Sequence, residues 1–214
     1  LSLHQVSKLD DQLKRTSFTL NSQQLFVRNF LSLNTPYNNL LLYHGLGTGK
    51  TCTSITVAFE KIKYMIQTNN NKKIFVVASP NVQNNFKKEL YHEDKLQNIN
   101  GEWTLSTCIG NDLLKIINVT NENLEKKILL SRIKQFINER FEFIGYTKFS
   151  NIINDSIEEN TIDTLFEYNL VIIDEVHNIR VSDDKNNKRI AKSLEQLVKL
   201  TDNMQLLLLS ATPM

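Results

Sequence analysis

A glycine-rich loop lies between a short apolar run and a helix-forming segment, and it limits the possible folds of this chain more than any other feature. The apolar run covers residues 40–43, glycines follow at positions 45, 47 and 49, and Lys50 and Thr51 come directly after them. In a phosphate-binding loop such glycines let backbone N–H groups turn toward an anion, which also meets the positive end of the next helix. The spacing therefore predicts a strand, a phosphate-binding loop and a helix in succession.

His44 occupies the position at which the usual G-x-x-x-x-G-K-[ST] pattern has its first glycine. An ordinary glycine-rich turn is therefore the alternative interpretation. A lysine in the first turn of a helix is electrostatically unfavourable unless an anion lies there, and this favours a nucleotide site. We expect Lys50 to reach the β- and γ-phosphates and the Thr51 hydroxyl to hold Mg²⁺. The predicted nucleotide-binding residues of the loop are Gly45, Gly47, Thr48, Gly49, Lys50 and Thr51.

Two adjacent carboxylates follow a second apolar run much farther along the chain. Residues 170–173 are all aliphatic, and Asp174 and Glu175 come next. The carboxyl ends of parallel strands meet at one edge of a sheet, so these side chains should lie beside the loop. We expect Asp174 to complete the Mg²⁺ shell and Glu175 to orient and deprotonate the attacking water. A solvated turn is the alternative, and a phosphate-loop kinase is a rival that would not need Glu175 as a base.

The apolar runs alternate with helical patterns, which predicts an α/β domain with a mostly parallel β-sheet flanked by helices. Strands are predicted at residues 40–43, 74–78, 170–173 and 206–209, with weaker candidates at 103–109 and 141–144. Helices are predicted at residues 22–33, 50–67, 82–91, 121–140 and 188–200, and residues 182–188 are predicted to form a polar loop. The 214 residues are enough for one good core but not for two full-sized ones.

Composition narrows the possible partners and compartments. There are 25 Lys and Arg against 23 Asp and Glu, a net charge of +2, so nucleic-acid contact must come from a local patch. Charges along residues 121–140 fit a solvated helix face, with nucleic-acid binding as the alternative. No apolar run is long enough to cross a bilayer, so no membrane partner is expected. Two cysteines are too few for a disulfide framework of the secreted kind, which suits a reducing, intracellular compartment. Because there is no initiator Met, we interpret the chain as a piece of a longer protein.

The sequence Asp174-Glu175-Val176-His177, followed by Ser210-Ala211-Thr212, resembles motifs II and III of superfamily 2 helicases. The resemblance implies a RecA-like domain that uses ATP and Mg²⁺, extends over residues 18–214, and follows an N-terminal extension at residues 1–17 that matches nothing. Residues 92–140 match only in their general pattern. It also implies that His177, Ser210 and Thr212 couple the nucleotide state to the rest of the motor. For His177, a surface residue that caps a helix is the alternative.

Three further segments resemble elements of the Swi2/Snf2-like branch of these helicases. The sequence Leu20-Asn21-Ser22-Gln23-Gln24 is similar to an L-x-x-x-Q element, which would make Gln24 the residue that reads adenine. Ser79, Pro80 and Asn81 resemble motif Ia, and the segment Gly145-Tyr146-Thr147-Lys148-Phe149 resembles a T-Y-x-x-F element. Both elements face nucleic acid in that branch, which implies nucleic-acid contacts for Ser79, Pro80, Asn81 and Thr147.

Residues 35–37, 41–52 and 210–214 resemble the helicase-like ATPases of large cytoplasmic DNA viruses, a group that includes the poxvirus early transcription factor small subunit. The resemblance implies DNA as the partner, with RNA as the alternative, and a second RecA-like domain that supplies arginine fingers. Arg180 and Arg189 lie in the wrong place in the sequence to be arginine fingers, and we interpret them as surface charges. It also implies viral RNA polymerase or transcription factor subunits as partners, and a location in the viral factory of the host cytoplasm, with the virion as a second location. A nucleotide-responsive assembly module that does not translocate is the other functional hypothesis.

Overall fold

The computed structural model describes residues 20–32, 34–43, 49–117, 124–179 and 185–211. The strands are β1 (Asn39–Tyr43), β2 (Ile74–Val77), β3 (Leu96–Ile99), β4 (Glu102–Leu105), β5 (Phe141–Ile144), β6 (Leu170–Ile173) and β7 (Gln205–Ser210). The helices are α1 (Ser22–Phe30), α2 (Lys50–Gln67), α3 (Pro80–Leu90), α4 (Gly110–Ile116), α5 (Lys126–Arg140), α6 (Tyr146–Glu158), α7 (Ile162–Phe166) and α8 (Lys185–Leu200). Within these ranges no helix is both long and apolar enough to span a bilayer.

Five strands form one parallel sheet in the order β1-β7-β6-β2-β5. The four strong strand predictions and the weaker one at residues 141–144 all belong to this sheet, which confirms the predicted α/β class. Strands β3 and β4 form a separate antiparallel pair. Because every strand of the main sheet runs in the same direction, the carboxyl ends of β1, β7, β6, β2 and β5 share one edge.

Continuous apolar runs form these strands because both faces of the sheet are covered. Successive residues of β6 alternate between two cores, since Leu170 and Ile172 pack on one side while Val171 and Ile173 pack on the other. The first core includes the buried residues of α2, and the second includes those of α6. The strands that carry the candidate site are thus held from both sides.

Local signals explain where several helices begin. Asn21 accepts a hydrogen bond from the Gln24 backbone N–H, and the Gln24 side chain accepts one from the Asn21 N–H, which is a capping box for α1. Pro80 occupies the first turn of α3, where its missing N–H costs nothing.

The structure differs in detail from some of the sequence predictions. The strand predicted at residues 103–109 ends at Leu105 and lies outside the main sheet, because β4 pairs with β3 instead. Residues 185–188, predicted as loop, are the first turn of α8; residues 182–184 lie outside the described ranges. The helices α4, α6 and α7 were not predicted.

Cys52 and Cys108 are joined by a disulfide, with their Cα atoms 5.6 Å apart. The two residues are 56 positions apart, and they meet because Cys108, just before α4, packs with Cys52 of the first turn of α2 in one core. This single bond is not a disulfide framework of the secreted kind.

Gly110 stands where the start of α4 meets the end of β4. A Cβ atom at this position would lie 1.5 Å from the Leu105 carbonyl oxygen, a backbone atom that cannot move without displacing the strand. We expect Gly110→Ala to lower the free energy of unfolding by about 3 kcal/mol or more. Gly145→Ala is the matched control, because a Cβ there meets no atom within 4 Å. Urea unfolding of both variants checks the expectation, and equal midpoints would contradict it.

Candidate nucleotide-binding site

The first part of the site is the start of α2. Gly49 caps this helix with a φ of 83°, a left-handed conformation that glycine adopts without steric cost. Lys50 follows as the first helical residue and is 9% exposed. The Thr51 hydroxyl makes no hydrogen bond within the described part of the chain. The helix terminus, an ammonium and an unused hydroxyl thus lie together.

Asp174 lies at the end of β6 and is only 5% exposed. Burial raises the pKa of its carboxyl group, and the neighbouring Glu175 carboxylate raises it further. The Glu175 backbone N–H, which donates to Asp174 Oδ1 at 2.8 Å, and the positive charge of Lys50 oppose this rise. Within the described ranges Asp174 forms no salt bridge, so an added cation would stabilise its charged form.

Glu175, His177 and Ser210 meet beyond the ends of β6 and β7. Ile173 is level with Leu208 in the paired strands, which brings the residues after β6 beside Ser210. Nδ1 of His177 lies 3.2 Å from Oγ of Ser210 and 3.2 Å from Oε2 of Glu175. This carboxylate oxygen is buried and, among the described residues, receives no hydrogen bond of good geometry, so its contact with His177 is electrostatic.

The backbone at Glu175 is itself unusual. Its φ of 51° is left-handed, a region that residues other than glycine, asparagine and aspartate seldom adopt. Non-glycine residues held in this region cluster at functional sites. The turn after β6 therefore places Glu175 in a conformation that the local sequence would not choose alone.

Gln24 reaches the site from α1. Its side chain is buried, and its Nε2 atom lies 2.9 Å from the place a Cβ would occupy at Gly49. Its Oε1 atom accepts the Asn21 backbone N–H at 3.0 Å, so the amide nitrogen is the part left to face a ligand. Gln24 is thus next to the loop, and its proposed contact with the adenine base stays a prediction.

These residues fit a magnesium–nucleotide complex. Mg²⁺ takes oxygen ligands and is usually held by one or two protein groups together with substrate phosphates and water. The Thr51 hydroxyl and the Asp174 carboxylate are such a pair. In the parts of the chain that the structure describes, no group of three or more His, Cys, Asp or Glu side chains is placed to hold a metal ion by itself. The site therefore suits a cation that arrives with phosphate.

The predicted nucleic-acid residues lie on the same sheet edge, farther along it. Ser79, Pro80 and Asn81 follow β2 and begin α3, while Thr147 follows β5 in the first turn of α6. Pro80, Asn81 and Thr147 are exposed, and Ser79 is half-buried. The strand order thus separates them from the nucleotide residues, which follow β1, β7 and β6.

Tyr146 connects the two groups, and the sequence did not predict this contact. Its hydroxyl donates to the Asp174 backbone carbonyl oxygen at 2.7 Å, across 28 positions. Burial raises the pKa of Tyr146, which keeps the hydroxyl protonated as a donor. The T-Y-x-x-F element was the only signal in the sequence, and it pointed to nucleic acid. Its Phe149 is a core residue.

Several predicted site residues lie outside the described residues: His44, Gly45, Gly47, Thr48 and Thr212. Their roles stay predictions.

A family model described as "Type III restriction enzyme, res subunit" matches residues 17–214. The chain is 29% identical over 213 residues to putative helicase 087L of Invertebrate iridescent virus 3, covering 96% of this chain and 20% of that protein. It is 30% identical over 190 residues to putative ATP-dependent RNA helicase R563 of Acanthamoeba polyphaga mimivirus, covering 89% and 29%. It is 28% identical over 163 residues to the early transcription factor large subunit homolog of African swine fever virus, covering 68% and 14%.

Among solved structures, the DEAD-box helicase Mss116 bound to ssRNA and UDP-BeF is similar in fold, with a TM-score of 0.50 and 14% identity. The match covers 94% of this chain and 38% of that one. The chain spans less than a third of each of the three viral relatives.

Proposed function

Because the chain belongs to the family described as "Type III restriction enzyme, res subunit", we propose that it is the first of two RecA-like domains in a viral superfamily 2 motor that hydrolyses ATP and acts on DNA. The observation that carries the proposal is the meeting of Lys50, Asp174 and Glu175 at one sheet edge. Lys50 and Asp174 are buried there, and the carboxyl of Asp174 has no salt bridge within the described residues. A cation would compensate the Asp174 carboxylate, and a phosphate chain would bind at Lys50 and the start of α2.

Each residue then has one task in the proposed reaction. Lys50 and the α2 terminus bind the phosphate chain, while Thr51 and Asp174 hold Mg²⁺. Glu175 orients the attacking water and accepts its proton. Bound Mg²⁺ would neutralise charge that develops on the phosphate oxygens. Gln24 donates to the adenine ring, and the N–H groups of Gly45, Gly47, Thr48 and Gly49 surround the phosphates.

Transmission of the nucleotide state is proposed to run along the sheet edge. His177 contacts both Glu175 and Ser210, so a change at the carboxylate reaches the end of β7 directly. Thr212 lies two residues beyond and completes this coupling set. In the other direction, Ser79, Pro80, Asn81 and Thr147 are proposed to contact the nucleic-acid backbone.

The proposed role in transcription rests on the name of one group of relatives, and DNA is the partner that the motif resemblance implies. An early transcription factor homolog of African swine fever virus favours viral transcription, with RNA polymerase or transcription factor subunits as partners. Three mimivirus relatives and one ascovirus relative are named as putative ATP-dependent RNA helicases, and RNA is therefore the alternative substrate. The proposed location is the viral factory in the host cytoplasm, with the virion as a second location.

Steady-state ATPase assays test the proposal. We expect residues 1–214 to bind nucleotide with a dissociation constant of about 10 μM to 1 mM and to turn over near background, because one side of the γ-phosphate lacks a second domain. An arginine finger from such a domain is worth about 10³- to 10⁵-fold in rate. The longer protein should therefore hydrolyse ATP much faster, and duplex DNA should stimulate it more than single-stranded RNA does.

Two outcomes would change this conclusion. Strong DNA-stimulated turnover by residues 1–214 alone would contradict the two-domain mechanism. A longer protein that binds ATP but is stimulated by neither DNA nor RNA would instead be the nucleotide-responsive assembly module.

A further inference from the structure

A cleft of about 450 Å³ opens at the end of the sheet opposite the nucleotide site. Gln205, the first residue of β7, lines it, whereas the nucleotide residues lie near the last residue of that strand. Lys61 of α2 also lines it, eleven residues after Lys50, which is about 16 Å along the helix axis. The cleft is therefore a separate feature, and its volume is in the range of small-molecule sites.

The side chain of Lys61 is 3% exposed and lies at this cleft. Within the described residues it forms no hydrogen bond or ion pair. Its Nζ atom lies over the face of the Tyr64 ring, 5.6 Å from the ring centroid. A buried ammonium without a carboxylate is unfavourable, because the protein has removed water without replacing it. A structural lysine of this kind would normally pair with an acid.

Within the described ranges the surroundings of Lys61 do not supply that acid. Glu60 lines the same cleft but pairs with Lys63 at 3.0 Å, and Lys63 also contacts Asp112 at 3.2 Å. Lys72 adds a second positive charge close enough to disfavour protonation of Lys61. Arg28 lines an adjoining cleft that shares Glu60 with this one. The potential at the Lys61 amine is therefore positive.

The rest of the lining is suited to an organic anion. Ser32, Asn34 and Gln67 bring a hydroxyl and two amides, which can donate hydrogen bonds. Leu31 and the Tyr64 ring form an apolar wall. One strong charge, a few polar donors and an apolar wall are the usual composition of a small-ligand site.

We propose that this cleft binds a small organic anion whose carboxylate or phosphate group pairs with Lys61 and whose flat apolar part lies against Leu31 and Tyr64. The inference does not depend on the nucleotide site, because it uses neither Lys50 nor the carboxylates after β6.

The pH dependence of binding follows from the amine. Burial lowers the pKa of Lys61 from 10.5 to about 8, and Lys72 contributes to the decrease. The ammonium form, which attracts the anion, is present below this pKa and is lost as the pH rises through it. Binding should therefore be strongest below pH 8 and weaken above it, and a bound anion should raise the pKa.

Lysine labelling tests the proposal on residues 1–214. Trace acetylation with acetic anhydride near pH 8, read by mass spectrometry, reports the reactivity of each amine. Two probes separate the anion types, benzoate for carboxylates and phenyl phosphate for phosphates, and benzamide is the neutral control. At about 10 mM we expect at least one anion to slow acetylation of Lys61 roughly tenfold for a dissociation constant of about 1 mM. Lys88, exposed on α3 and outside the lining of the cleft, should be unaffected.

Two variants complete the test. Lys61→Met keeps the length of the side chain and removes the charge, so the rise in melting temperature caused by the effective anion should disappear. Lys88→Met removes an exposed charge outside the cleft and should retain the rise. In Lys50→Ala, protection of Lys61 should persist. The proposal is overturned if neither anion protects Lys61, if benzamide protects it equally, or if Lys50→Ala abolishes the protection.

Discussion

The Glu175→Gln variant of the longer protein is expected to bind Mg-ATP normally and to lose nearly all turnover. The substitution keeps the size of the side chain and its hydrogen-bonding capacity but removes the proton acceptor. A general base contributes about 10²- to 10⁴-fold to rate, so kcat should fall by that factor while the nucleotide dissociation constant stays within about twofold. Steady-state ATPase and calorimetry measure the two quantities.

The surroundings of Glu175 make this variant a sharp test. Its Oε2 atom lies 3.2 Å from His177, so a glutamine amide can still contact the ring and hold the turn in place. Glu158→Gln, at an exposed position at the end of α6, is the matched control and should leave kcat unchanged. If Glu175→Gln turned over as fast as the parent, the proton acceptor would have to be another group.

The second large effect is expected for Lys50→Ala, which should greatly weaken ATP binding without unfolding the domain. Hydrogen bonds to charged groups contribute about 1.5–3 kcal/mol, so the dissociation constant should rise by roughly 10- to 150-fold. Isothermal calorimetry of residues 1–214 with Mg-ATP measures the change.

Folding should survive because Lys50 contacts the site and not the apolar core. Its removal takes a compensating charge from Asp174, whose pKa should rise further, since the buried carboxyl then has less positive charge beside it. Lys88→Ala, at an exposed position of α3, controls for a general loss of positive charge. Unchanged ATP affinity in Lys50→Ala would show that the phosphate-loop assignment is wrong.

The comparisons confirm the predicted family resemblance, since the chain matches a helicase-like family and helicase proteins of large DNA viruses. The family could be predicted from the motifs, because residue type and spacing are enough to define a motif. The roles of the individual site residues stay predictions, and the two variants above test the principal ones.

The amino-acid sequence by itself determined the elements whose signals are local. β6 and α2 have the predicted bounds, because an unbroken aliphatic run and a glycine-rich turn before a helix need no distant partner to be recognised. By contrast, α6 is rich in Asn, Ile, Ser and Thr, which are weak helix formers, and it is stabilised by packing of Phe149 and Ile153 in the core. Its helical state therefore depends on tertiary contacts.

Only the tertiary structure decided which side chains meet. The contacts of His177 with Ser210 and of Tyr146 with Asp174 cross 33 and 28 positions, and the Cys52–Cys108 bond crosses 56. The first two arise because the strands of the main sheet end at one edge. The bond arises because Cys52 and Cys108 pack in one core. The cleft at Lys61 has the same origin, since α1, α2 and β7 bring together residues from three distant segments. The spacing of residues in the sequence does not predict which strands become neighbours, because strand order is set by how the helices cover both faces of the sheet.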